Sequence, residues 1–240
     1  MIIDPLFVDL YPGDGVKDAV AFIAAGPPWS GWILKLTQGL DYEYSFWAKR
    51  QRRPFITHER YGHDLFDGFY HYLTFHQDGA AQAERFWIFM DQIGGERSGT
   101  LWAMVDVERG GQRIQNPGRA LIEDRTQAFA ERYEKLSGRK ATLYGGELLR
   151  AAGVRSLLGC GRSAIALYGS RLPRDIIERT GTDLDHLMLW QYRGTEPTTV
   201  GPVGYPMSAP GCGAVDISAM VLPGGLAALR SGLWVEAPTG

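Results

Sequence analysis

The chain has 240 residues, of which 45% are hydrophobic and 22% charged, so it is long enough to bury one substantial core, and a single domain over 1–240 is expected. No apolar run approaches the roughly 18 residues needed to cross a bilayer, which excludes membrane insertion. A formal net charge of -2 with mixed signs excludes the basic footprint of a nucleic-acid binder.

Short apolar runs alternate with helix-like patterns along the chain. Taken in order, strands are predicted at 6–10, 32–37, 68–74, 102–108, 141–144, 164–168, 187–192 and 214–217. Helices are predicted at 16–24, 44–52 and 79–93, the last with Ala83, Phe86, Trp87 and Met90 on one stripe. The next is expected to open at Asn116-Pro117, carry Ile122, Thr126, Phe129, Tyr133 and Leu136 along one face, and stop at Gly138. Beyond it the candidate helices are short, at 147–152 and about 174–180, and 194–213 is rich in Gly, Pro and Thr. A covering helix is expected at 224–234, ahead of a loose tail.

Eight strands is the count of a closed barrel, and the alternation with helices predicts parallel neighbours joined by right-handed crossovers. The fold class expected is therefore an α/β barrel that becomes helix-poor over its last three strands. The basic run Lys49-Arg50-Gln51-Arg52-Arg53 is expected to be a solvated helix end. The start MIIDPLFVDL has neither a basic segment nor an apolar core, so no secretory signal is expected and another release route is implied. Cys160 and Cys212 fit either two free thiols or one bridge.

In such a barrel the residues at the C-terminal strand ends line the mouth where chemistry occurs. Almost every run here ends in a suitable side chain: Asp9 and Tyr11, Lys35 with Thr37, Tyr70 with His71, Asp106 with Glu108, Tyr144, Tyr168, Trp190 with Tyr192, and Asp216. Asp106-Val107-Glu108 is the sharpest of these. Strand side chains at i and i+2 share a face, with Cα atoms about 6.5 Å apart, so both carboxyls enter one pocket. Two acids this close in a partly dry site resist ionising together; the retained proton makes one a general acid beside a carboxylate, as glycoside hydrolysis requires. Asp9 and Asp216, on the first and last runs, become neighbours when the barrel closes. Tyr70, Trp190 and Tyr192, together with Lys35, Tyr144 and Tyr168, are the candidate sugar contacts. No G-x-S-x-G elbow, Walker loop or spaced Cys set is present, so nucleophilic-serine, nucleotide and zinc readings lack support.

These residues, in this order, resemble the family 25 glycoside hydrolases, the lysozymes of bacteria and their phages. The matching pieces are Val8-Asp9-Leu10, Ile33-Leu34-Lys35-Leu36-Thr37-Gln38-Gly39, Gly68-Phe69-Tyr70-His71-Tyr72 with the Gln82-Ala83 helix, Val105-Asp106-Val107-Glu108, Trp190-Gln191-Tyr192 and Val215-Asp216-Ile217. The resemblance spans about residues 6 to 220. It implies an irregular TIM-like barrel of about five β/α units followed by three strands, and cofactor-free hydrolysis of the β-1,4 bond between N-acetylmuramic acid and N-acetylglucosamine in peptidoglycan. By the same resemblance Glu108 is the acid/base and Asp106 assists the substrate N-acetyl group, with Asp9 and Asp216 in support. An endolysin-like monomer with peptidoglycan as its partner follows. Two positions depart from the pattern: family members usually carry Glu where Gln38 stands and Trp where Ala164 stands. The competing reading from another class is a non-catalytic glycan-binding or phage structural module on the same barrel. A chitinase is a third, but its longer D-x-x-D-x-D-x-E run is missing.

Overall fold

A computed structural model of the chain describes residues 4–14, 18–61, 64–94, 102–110, 112–168, 186–194 and 202–231. Among the described residues nine strands form one sheet: β1 (Leu6–Leu10), β2 (Trp29–Gln38), β3 (Tyr42–Glu43), β4 (Phe66–Tyr72), β5 (Trp102–Val107), β6 (Thr142–Gly145), β7 (Arg162–Ala166), β8 (Leu187–Arg193) and β9 (Asp216–Met220). The order is β1-β9-β8-β7-β6-β5-β4-β2-β3, and the additional β1–β2 pairing closes eight of the strands into a barrel. The short β3 only folds back on the end of β2.

From β1 through β8 the barrel neighbours are parallel, as the alternation predicts. β9 departs from that expectation, running antiparallel to both β8 and β1. Among the described residues between β8 and β9, 202–215 contain no helix. The chain re-enters at the mouth, and Asp216 opens its strand instead of closing it. The rim position survives this reversal, because the start of an antiparallel strand lies beside the C-terminal ends of its neighbours.

The helices are α1 (Ala19–Ala24), α2 (Ser45–Ile56), α3 (Gly79–Gln92), α4 (Arg119–Ser137), α5 (Glu147–Ala151) and α6 (Gly225–Ser231). Asp18 caps α1 by accepting from the Val20 and Ala21 amides, and Asp78 caps α3 through the Ala81 amide at 2.8 Å. α4 stops at Gly138, whose φ of 71° is the left-handed cap that glycine adopts freely. Its start lies later than expected: Gly118, extended at φ -66° and ψ 158°, is the cap and makes no side-chain bond. α2 outruns its predicted end and passes through Pro54, because Phe55 packs 4.1 Å from the Trp32 ring and 5.9 Å from Phe22. Tertiary burial there outweighs the missing amide, and the basic run becomes mid-helix rather than a helix end. The helix expected at about 174–180 and the end of the one expected at 224–234 fall outside the described residues.

Two apolar layers hold the fold. One lies between sheet and helices and includes Val8, Leu34, Phe69, Val105, Phe86, Phe129 and Ile217. The other fills the barrel with Phe7, Ile33, Phe66, Trp102, Met104, Tyr144, Met188 and Met220. Phe7 meets Trp102 edge-on at 5.3 Å, and a Cβ on Gly68 would stand 2.7 Å from the Trp102 ring, so only glycine admits this indole. This plug fills the end of the barrel where β5 begins, and the polar residues stand at the opposite, C-terminal ends of the strands. Both cysteines are free thiols.

Candidate active site

β5 determines the centre of the site. Trp102 and Met104 belong to the interior layer, so strand alternation turns Asp106 inward as well. Glu108 follows one residue beyond the strand. Asp106 is 6% exposed, whereas Glu108 is half-buried at the rim. The main chain at Glu108 is pinned from two sides. Tyr72 Oη donates to the carbonyls of Glu108 (3.3 Å) and Gly110, and Gln112 Nε2 donates to the carbonyls of Glu108 (3.1 Å) and Leu73 (2.7 Å). Asp9 and Asp216 are direct cross-strand partners on β1 and β9, so the closing seam of the barrel brings a second acid pair to the same mouth.

The electrostatics follow from burial. Burial raises the Asp106 pKa well above the ordinary 3.8, and the charges of Glu108, Asp9 and Asp216 add to it while the Lys35 ammonium opposes it. Glu108 is raised by burial and by Asp216, against a hydrogen bond to Tyr144 and the charge of Lys35. Asp9 is raised by burial and then by Asp216, Asp14 and Glu108. One carboxylate oxygen each of Asp9 and Asp106 is buried without a hydrogen-bond partner among the described residues. That is costly in a resting protein and available to a polar ligand.

Lys35 is the cation that interacts with the central acid pair. Burial lowers its pKa, and Asp106 and Glu108 push it back up. Its Nζ lies 4.8 Å from the Tyr72 ring centre and 5.9 Å from that of Tyr70, and donates to Gln38 Oε1 at 2.8 Å. A glutamate at position 38 would neutralise this ammonium. With glutamine there, its charge is left to the two catalytic candidates. Ala164, the second departure, lies inside the barrel and pairs with Tyr144.

Of the remaining candidates, Tyr70 and Tyr144 face the interior, and Tyr144 Oη donates to Gln191 Oε1 at 2.5 Å. Tyr168 sits 48% exposed at the rim and accepts from Gln191 Nε2 at 3.3 Å. Trp190 and Tyr192 are not brought to the mouth. They pack in the outer layer, where Trp190 Nε1 donates to the Leu167 carbonyl and Tyr192 Oη to that of Pro206. Both flank Gln191, and alternation turns that residue inward in their place. Sequence reasoning missed Gln191, Gln112 and Asp14. Asp14 accepts from the Tyr11 amide and is pushed up to about 6 by burial, with Asp216 adding to the rise against that hydrogen bond. Beside Glu108 opens a cavity of about 220 Å³, bounded by Val107, Arg109, Gly146 and Glu147.

Asp9→Asn should expose the cost of this crowding. A carboxyl whose folded pKa is raised contributes its full share to stability below its unfolded value and loses it as pH climbs through the folded value. The substitution is expected to raise Tm by roughly 3 °C at pH 7, with the gain vanishing below about pH 4. Thermal melts across pH check it; a gain that persists at low pH would refute the assignment of the strain to ionisation.

Comparison with known proteins decides the family: residues 22–199 match the profile of Glycosyl hydrolases family 25. The chain belongs to this family. As a family 25 glycoside hydrolase it shares its fold with several solved structures. The bacterial lysozyme of Streptomyces coelicolor superposes with a TM-score of 0.68 at 19% identity, covering 95% of this chain and 98% of the other. A family 25 lysozyme of Aspergillus fumigatus gives 0.67 at 17% identity over 94% and 97%. A muramidase of Acremonium alcalophilum gives 0.65 at 19% identity over 95% and 99%. No curated protein sequence matches the chain. Among the candidate acids, Asp106 and Glu108 fall inside the matched segment, while Asp9 and Asp216 lie outside it.

Proposed function

We propose that this family 25 hydrolase is a lysozyme that cleaves the β-1,4 bond between N-acetylmuramic acid and N-acetylglucosamine of bacterial peptidoglycan. The observation that carries the proposal is the inward-facing pair Asp106 and Glu108 at a barrel mouth that also holds Asp9 and Asp216. Burial favours the proton on Asp106 in the free protein; once the substrate amide N–H donates to Asp106 and favours its charged form, Glu108 holds the shared proton in the productive complex. Glu108 gives that proton to the glycosidic oxygen as the C–O bond breaks. The substrate's own N-acetyl oxygen closes on the anomeric carbon, while the Asp106 carboxylate holds the amide N–H and offsets the positive charge. Glu108, now a carboxylate, takes a proton from the water that opens the cyclic intermediate. Lys35, Tyr70, Tyr144 and Tyr168 line the path of the glycan. The enzyme works as a monomer on the glycan strands of the wall.

Incubation with purified peptidoglycan tests the reaction: new reducing ends should accumulate with time. Retention on the wall without sugar release would instead favour a glycan-binding module. The pH profile of kcat/KM tests the electrostatics, because its alkaline limb reports loss of the acid's proton in the free enzyme. Removing the charge that raises the Glu108 pKa, in Asp216→Asn, should move that limb to lower pH. Removing the cation that depresses it, in Lys35→Met, should move the limb to higher pH. Shifts of the same sign in both variants would contradict the assignment of the limb to Glu108.

A further inference from the structure

α2 carries Lys49, Arg50, Arg52 and Arg53 and no acidic residue over its 12 positions, in a chain whose formal net charge is -2. These cations divide by face. Arg52 turns inward to the buried Asp67 carboxylate at 2.5 Å and to the Ile93 carbonyl, and so belongs to the core. Lys49, Arg50 and Arg53 are exposed, and their side chains make no hydrogen bond or ion pair among the described residues. On the same face stand Phe46, 82% exposed, and Ile56, 42% exposed. The spacing 46, 49/50, 53 and 56 follows one side of a helix. Beneath it, between α2 and Ile93 just past the end of α3, lies a groove of about 350 Å³ with an apolar floor and a cationic rim. A solvated helix end accounts for the charges alone. It does not account for exposed Phe and Ile among them, nor for the groove.

We infer that the outer face of α2 docks on an anionic lipid bilayer, with Phe46 and Ile56 entering the boundary between headgroups and acyl chains and Lys49, Arg50 and Arg53 holding lipid phosphates. Charge complementarity selects an anionic surface, since the molecule as a whole is weakly negative while this face of α2 is cationic. The apolar component selects a bilayer over a soluble polyanion: a phosphate polymer gains nothing from an exposed phenyl ring, whereas an interfacial helix gains by burying it. α2 follows β3, beside the C-terminal end of β2, and leads to the start of β4, so it flanks the barrel. Docking there leaves the mouth open to glycan. The attachment is to the surface only; no described helix is long and apolar enough to span a membrane.

Co-sedimentation with vesicles tests this, using phosphatidylglycerol mixed with phosphatidylcholine against phosphatidylcholine alone. The protein should pellet with the anionic vesicles, less so as salt rises. Arg50→Gln with Arg53→Gln should weaken binding about 30-fold, at roughly 1 kcal/mol per cation. Phe46→Ser should weaken it several-fold, and hydrolysis of soluble peptidoglycan fragments should stay unchanged in both variants. Equal binding to both vesicle types, or none to either, overturns the inference. So does a Phe46→Ser variant that binds like the parent while polyphosphate displaces both, which would identify a polyanion site instead.

Discussion

Glu108→Gln is expected to lower kcat on peptidoglycan by about 10³-fold, near the middle of the range that a positioned proton donor contributes. Glutamine keeps the size of the side chain and its hydrogen-bonding capacity but has no proton to give to a leaving oxygen. The fold should tolerate the change. Glu108 is half-buried, and it is the main chain at this position, not the carboxyl, that Tyr72 and Gln112 hold against β4. A melting temperature within a few degrees of the parent, retained binding to cell walls and the collapse of turnover are the three results expected together. Parental turnover in this variant would remove Glu108 from the chemistry.

Asp106→Asn should cost less activity, about 10²-fold in kcat, because the carboxamide still occupies the site while the negative charge opposite the developing cation is gone. It should also stabilise the protein at neutral pH. Burial and the charge of Glu108 raise the Asp106 pKa, so its contribution to stability declines as pH rises above the ordinary aspartate range. A neutral side chain avoids that decline. Higher Tm at pH 7 with lower kcat is a combination that a merely structural carboxyl would not produce, and it is measured with one melt and one progress curve. Lower stability combined with full activity would contradict the role given to Asp106.

The parts of this site that were legible in the sequence are those where local pattern and tertiary context agree. The run 102–108 reads as a buried strand ending in two same-face acids because Trp102, Met104 and Asp106 share one parity, and the folded barrel keeps it. Asp9 and Asp216 pair because closure brings the first and last strands together whatever their direction, so reversing β9 left the prediction of neighbouring acids intact. Trp190 and Tyr192 failed for the opposite reason. β8 is apolar on both faces, and a strand buried from both sides gives no signal of which parity is inward, so the polar Gln191 between them was the only clue. The start of β4 was misplaced because Asp67 looks like a loop residue; its partners Arg52 and Tyr61 come from elsewhere in the chain. Asp14 escaped because it lies in the turn after β1, beyond the strand ends that the barrel rule searches.

Membership of family 25 says that a glycosidic bond is broken, and the carboxyl pair at the barrel mouth supports the proposed route. Mass analysis of the fragments that the purified protein releases from peptidoglycan joins the two. The account predicts disaccharide units with intact stem peptides and N-acetylmuramic acid at every new reducing end. Fragments ending in reducing N-acetylglucosamine, or products cut only in the peptide, would contradict it.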